Sequence, residues 1–428
     1  MQNSESSPAR EWRATPERPD SPNAPRTKNK ANQKKKCRKV AHILPLTLDK
    51  RHAPGLAAKS LDLQTREIFQ DTVANILFPS TYAAYRGRVD QDLPSFIHHE
   101  PAAQHPLLGC AVQCTATWFL AKIHSDADLL DQSRYLYSGA LRYLSMVLYN
   151  PAWVKSDMVL CTAIVLMFYE MMDEITPTSW TTHGRGIKEI FRIRGARMHL
   201  AGFARTLLVI ARPFLIVDAF VHQEPCFLEA SYWNAVCRKS FLREQRMGRG
   251  GKLSRLIEEA YAEVALVPGY RAEACRILDG GRKDASTIHA LLSRMQRSHD
   301  QLAVIERQLG FLLASDVAAG NAEVPAKKYS DPIPEALLPR VGGLTLQGIQ
   351  SSLGLLKHLE VQLENHGKPV NQPGSATQAI SASSLASLPL AEIGNLFDSV
   401  SLGMGALSVG PARLPGMIPA SQCCDASP

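Results

Sequence analysis

Between Ser179 and Gly195 the chain reads SWTTHGRGIKEIFRIRG, a segment that fixes local structure more tightly than any other. Trp180, His183, Ile187, Ile190 and Phe191 recur at helical intervals, so one helix presents them as a single stripe. Arg185, Lys188 and Arg192 face largely away from that stripe, and Arg194 falls back towards it. Gly195 stands where a helix C-cap glycine is expected.

The same periodicity runs through the body of the chain. Leu63 to Phe78 reads as a helix ended by Pro79. Pro106 to His124 sets Leu107, Cys110, Ala111, Cys114, Trp118 and Ala121 on one face, with Pro106 suited to a first turn. Asp126 to Tyr149 repeats the pattern, and Asp157 to Asp173 is apolar nearly all round, hence central. Gly202 to His222 aligns Phe203, Leu207, Ile210, Phe214, Val217 and Val221, and Pro213 is expected to kink or split that helix. Leu253 to Val264 forms a further stripe. Ile288 to Leu312 follows a three-four heptad spacing broken at Ser298. That spacing serves either a coiled-coil seam between chains or, as the plainer reading, a long core helix in an antiparallel pair. Leu344 to Asn365 is the last good helix. With no strand ladder and no repeat of fixed period, the fold class is all-α.

The motif residues resemble the helical regulatory domain of fungal zinc-cluster transcription factors. In that family a Trp, a His three residues on and a Leu/Ile-rich turn close on Arg-Gly, here Trp180, His183, Arg194 and Gly195. The following family element has Phe-x-Arg, Arg-Pro-Phe, Pro-x-Phe-Leu and a Trp. Here these are Phe203 and Arg205, then Arg212-Pro213-Phe214, Pro225 to Leu228, and Trp233. The resemblance covers residues 61 to about 315. It implies a nuclear regulator of a metabolic or biosynthetic gene set, with the helical body as an interaction platform. The implied partners are the transcription machinery or a partner transcription factor, in a homo- or heterodimer.

One family feature is missing. Zinc-cluster regulators carry six cysteines near the N-terminus, whereas Cys37 is the sole cysteine before Cys110. One cysteine cannot form that site, so no zinc-cluster reading of DNA is expected from this sequence.

Charge is distributed unevenly. Residues 1–60 hold 14 Lys and Arg against 5 Asp and Glu, and the remainder holds 34 against 35. A broad basic face on the body is therefore not expected. Residues 1–60, rich in Ser, Pro and charge, read as disordered. Within them Arg26 to Lys39 carries eight basic residues and no acid. Lys34, Lys35, Lys36, Arg38 and Lys39 suit a nuclear localisation signal, or contact with nucleic-acid phosphates that would be salt-sensitive and blind to sequence. No aromatic residues interleave to stack on bases.

The expected organisation is a basic disordered region over 1–60, a helical domain over 61–315, a linker with one more helix over 316–366, and a low-complexity tail over 367–428. Residues 316–343 supply the Pro/Ala/Gly linker, and within the tail only short patches such as Leu388 to Phe397 are expected to order.

Met1 to Asp20 is polar and charged, unlike a secretory signal. The longest uncharged apolar run, Met158 to Tyr169, falls short of the roughly 20 residues a membrane span needs. Nine scattered cysteines then read as reduced thiols, so an intracellular, nuclear protein without membrane contact is expected.

No enzyme motif emerges. Gly250-Gly251-Lys252 lacks the upstream glycine of a phosphate loop, that position being Arg246, and neither H-E-x-x-H nor G-x-S-x-G occurs. Adjacent His98 and His99 point apart, and Cys110 and Cys114 lack a second ligand pair. No cofactor or metal is expected. His183, without a partnered nucleophile, is expected to fix packing around Trp180. The alternative is a helical enzyme or small-molecule-binding protein that uses an apolar pocket in the bundle.

Overall fold

The computed structural model describes residues 55–99, 106–173, 179–279, 285–319, 333–365 and 390–404. Among these residues every regular element is helical, so the protein is all-α. The basic run 26–39, with Lys34, Lys35, Lys36, Arg38 and Lys39, lies outside them.

Helix α1 (Gly55–Asp71) runs into a π-helical stretch, Thr72–Leu77. Pro79 ends that path and opens α2 (Pro79–Arg86) at its first position, where its missing N–H costs nothing. After α3 (Leu93–His99) come α4 (Pro106–His124) and α5 (Ala127–Leu148), the latter capped by Asp126 accepting from Leu129 N at 3.0 Å. A single turn, α6 (Pro151–Val154), leads into α7 (Asp157–Asp173).

Helix α7 is buried at every position from Met158 to Asp173, as its uniformly apolar sequence demands. It packs against α4, α5, α8 (Ser179–Arg194) and α9 (Gly202–Val221). Helix α4 is long and apolar enough to cross a membrane by length and composition, yet here it packs against α1, α5 and α7. Pro213 does not split α9, which is one helix across it. Proline removes one backbone donor, and burial on all sides of α9 holds the flanking turns together.

The second half adds α10 (Ser231–Arg246), α11 (Lys252–Val264), α12 (Val267–Asp279), α13 (Ala285–Ala319) and α14 (Leu338–Asn365). Leu291, Met295, Leu302, Ile305 and Leu309 of α13 are buried against α11 and α14 within the same chain. Gln350 of α14 bonds Glu306 at 3.0 Å, while Gly342 faces Leu313, so the two helices run antiparallel. The heptad spacing therefore serves an internal pair. Ser298, its break, is buried and lies 3.0 Å from the Tyr270 hydroxyl.

Two boundaries differ from the sequence reading: α1 begins at Gly55, inside the region 1–60 read as disordered, and α13 runs past 315 to Ala319. Within 316–343 lie the end of α13, the helical turn Glu335–Leu337 and the start of α14. Within the 367–428 tail, the apolar patch expected to order does so as α15 (Leu390–Leu402), which joins the core by packing Phe397 against Phe78 and Phe168. Its buried Asp398 accepts Ser80 N at 2.9 Å and Thr81 N at 3.0 Å, capping α2 from 317 residues away or more. Arg340 of α14 lies 3.3 Å from the same carboxylate. A carboxylate at a helix N-terminus satisfies orphan donors and meets the positive end of the dipole.

Candidate functional site

The motif residues converge on the packing of α8, α9 and α10. Trp180, Ile187, Ile190 and Phe191 are buried along one side of α8. His183 joins them at a polar seam with α5 and α7, its Nε2 lying 3.0 Å from the Tyr137 hydroxyl and 3.8 Å from Glu170. The single Tyr137 proton goes to Glu170, so His183 Nε2 carries a hydrogen and donates to the phenol oxygen. Burial, then the Glu170 hydrogen bond and charge, push the Tyr137 phenol far up, which keeps it protonated. Alongside, Tyr169 lies 2.8 Å from Ser133, and Arg134 binds Asp173 at 2.9 Å. The seam locks three helices together.

Arg194 closes the helix. It donates to Lys155 O at 2.6 Å and pairs with Asp157, tying the end of α8 to the entrance of α7. Gly195 follows at φ +75°, a conformation glycine adopts without strain, and its N–H bonds Phe191 O at 2.9 Å. Lys188 departs from expectation: it is buried, not turned away. Asp218 of α9, at 3.3 Å, and Glu224 draw it inward, and the buried carboxylate needs that cation.

His199, which the sequence reading did not single out, is fully buried between Phe191 and Trp233, with ring centroids at 4.8 and 5.7 Å. Its Nδ1–H donates to Ala204 O at 2.8 Å, leaving Nε2 to face the Arg194 guanidinium at 3.4 Å. Burial pushes its pKa down to about 4, with Arg194 and Arg205 adding to the effect, so it stays neutral.

Arg205 and Arg212 enter a buried cluster of five charges with Arg88, Glu244 and Glu258. Glu244 takes Arg88 at 3.0 Å and Arg205 at 3.0 Å. Glu258 takes Arg88 at 2.6 Å, Arg212 at 2.6 and 2.8 Å, and Arg205 at 3.4 Å. The Arg212 guanidinium also lies 4.1 Å from the centroid of the Tyr261 ring. Burial alone would raise the Glu258 carboxyl, yet Arg212, Arg205 and Arg88 hold it well below the carboxylate range. Neither glutamate was anticipated. The signal available was an acid, Glu258, one position from Ile257 on the apolar stripe of α11.

These polar groups are thus spent on holding helices together. Two grooves lie outside this interior. One, of about 510 Å³, is lined by Asp90, Asp92, Ser95 and His99 among others. Asp90 there is held by Arg243 and Arg249, each at 2.7 Å, and by Gly202 N at 3.0 Å. The other, of about 540 Å³, lies where α8, the 225–230 loop, α12 and α13 meet.

The chain is similar to an uncharacterized protein of Emericella nidulans. They are 27% identical over 321 residues, which covers 74% of this chain and 68% of the relative. No family model matches the sequence, and no solved structure matches it.

The remaining candidates separate. His98 and His99 are both exposed at the end of α3, with His99 Nδ1 2.6 Å from Ser95 O. Cys114 is buried and its thiol bonds Ala111 O at 3.1 Å, while Cys110 is half-buried. Burial pushes both thiols up, so both stay protonated. Among the described residues no three His, Cys, Asp or Glu side chains group to hold a metal ion.

Proposed function

We propose that the protein is a nuclear transcription regulator acting on a metabolic or biosynthetic gene set. Its helical body serves as an interaction platform, and the segment 26–39 directs nuclear import. The observation that carries this reading is the separation of charge: a dense cationic run in the first 60 residues, against a remainder with 34 basic and 35 acidic side chains. A solvated cluster of Lys and Arg is what import recognition requires. Lys34, Lys35, Lys36, Arg38 and Lys39 also suit DNA phosphates, with affinity falling steeply as salt rises. Base-specific reading then belongs to a partner transcription factor, since one cysteine cannot build a zinc cluster.

The body fits a scaffold better than an enzyme. His183, Arg194, Arg205 and Arg212 each have interior partners. A residue committed to buried ion pairs is a poor general acid or nucleophile. The test is localisation in living cells. A fluorescent reporter fused to residues 26–39 is expected in the nucleus, and the full chain lacking them is expected in the cytoplasm. Cytoplasmic retention of the intact protein refutes the reading.

A further inference from the structure

The groove of about 540 Å³ carries two charges, half-buried Glu229 and exposed Arg276, that form no ion pair among the described residues. Five charged side chains line it. Arg294 grips Glu273 through two contacts of 2.6 Å, so that pair is internally neutral. Arg192 is held by Glu189 of its own helix at 3.0 Å. Glu229 and Arg276 remain.

Glu229 sits on the short helical turn Phe227–Glu229, half-buried, and its carboxylate accepts no hydrogen bond from any described residue. Its position is built. It lies over Gly269 of α12, where a Cβ would come 2.5 Å from Glu229 Oε2, so any larger residue would push the carboxylate away. Burial raises its pKa, with the Arg294 guanidinium acting against that shift and the Glu273 charge adding to it. The cation near it, Arg294, is already gripped by Glu273.

Arg276 lies two turns along α12 from Gly269, about 10 Å in helix rise. Its Nε folds back to Ala272 O at 3.2 Å, and its guanidinium pairs with no carboxylate among the described residues. Between the two charges the wall carries the internally neutral Glu273–Arg294 pair and an aromatic face. Phe227 and Tyr270 are buried with edges in the groove, and Tyr232 is 59% exposed.

We propose that this groove binds a short peptide, a zwitterion of two or three residues. Its ammonium is taken by Glu229, its terminal carboxylate by Arg276, and its side chains by Phe227, Tyr232 and Tyr270. The charge separation suits such a molecule, and the volume falls within the roughly 300–1,000 Å³ of small-molecule sites. An ammonium would restore the partner that Glu229 lacks, and a planar guanidinium matches a carboxylate bidentately. Peptide binding here stands apart from the nuclear reading, and neither depends on the other.

The test is titration calorimetry on the full chain with the dipeptide Ala-Phe, N-acetyl-Ala-Phe and Ala-Phe-amide. Ala-Phe is expected to bind, and each capped form to bind at least about tenfold more weakly, as for loss of one ion pair. E229Q is expected to lose the same factor for Ala-Phe and to stop distinguishing the acetylated form. R276M is expected to stop distinguishing the amide. G269A, which leaves all charges in place, is expected to lose binding because its Cβ displaces the carboxylate. Thermal unfolding of each variant establishes that it is folded. Equal affinity for the three ligands, no binding of Ala-Phe at about 10 mM, or a wild-type response in E229Q overturns the proposal. None of these outcomes bears on nuclear import, which is read separately by the reporter.

Discussion

The substitution Glu258→Gln probes the buried charge cluster most directly. Glu258 accepts from Arg88 at 2.6 Å and from Arg212 at 2.6 and 2.8 Å, and it lies 3.4 Å from Arg205. Gln preserves shape and one oxygen but removes the charge, so three guanidiniums then share Glu244 alone. Its amide would also point N–H groups at a guanidinium donor. Breaking a buried pair on one side costs about 3–5 kcal/mol, because the uncompensated cation stays buried. That is a large share of the roughly 5–15 kcal/mol by which proteins are stable. At about 2 °C per kcal/mol for a large body, the midpoint should fall by roughly 6–10 °C.

The assay is thermal and urea unfolding followed by circular dichroism, with Glu259→Gln as the control. Glu259 lies beside Glu258 in sequence but pairs with Arg255 at 2.9 Å where both are partly exposed. That pair is worth under about 0.5 kcal/mol. The acid limb supplies a second readout. The folded Glu258 carboxyl lies well below its ordinary value of 4.5. Its contribution is therefore present above that value and is lost as pH falls below it, and E258Q should flatten that limb. Equal losses in E258Q and E259Q, or a loss under about 1 kcal/mol for E258Q, would refute the account of the cluster.

Two further predictions concern parts remote from that cluster. Asp398→Ala removes the cap from α2 and should cost about 1–2 kcal/mol, with faster amide exchange at Ser80 and Thr81 and throughout α15; unchanged exchange in α15 sinks the claim that this carboxylate anchors it. His199 is held neutral with its pKa near 4, against about 6.5 unfolded, so stability is full above pH 6.5 and falls by roughly 3 kcal/mol towards pH 4. His199→Gln should flatten that decline, as measured by urea midpoints at pH 7.5 and pH 5, and an unchanged slope contradicts the assignment.

Local pattern was enough wherever a helix faces one uniform environment. The bounds of α4 and α7 could be read directly, since Pro106 suits a first turn and the apolar run of α7 is closed by charge at both ends. Pattern failed where a partner distant in the chain reverses the local preference. Lys188 lies off the apolar stripe of α8, yet Asp218, 30 residues on, turns it inward. Arg205 and Arg212 could be noted as motif residues, but Glu244 and Glu258 carry no periodic mark of their role. Helix α15 lies in a stretch of tail-like composition, where the apolar patch Leu388 to Phe397 marked its existence but not its place in the core. Its placement depends on Phe397 meeting Phe78 and Phe168, contacts that no local window contains.

That division bears on what the resemblance proposed from the sequence can mean. The side chains that carry it, Trp180, His183, Arg194, Arg205, Arg212 and Trp233, are buried or nearly so. Each of those arginines ends on a carboxylate or a carbonyl inside the body. A buried cation without its partner is costly enough to keep such residues wherever this packing is kept, whatever the protein binds. The motif therefore speaks to helix packing, and a shared ligand or target does not follow from it. Binding has to fall to charges the packing leaves over. In the described body Glu229 and Arg276 are two such charges facing one groove, and outside it the cationic segment 26–39 is a third candidate. Variants at these positions should alter binding while leaving unfolding nearly unchanged, and variants at the motif should do the reverse.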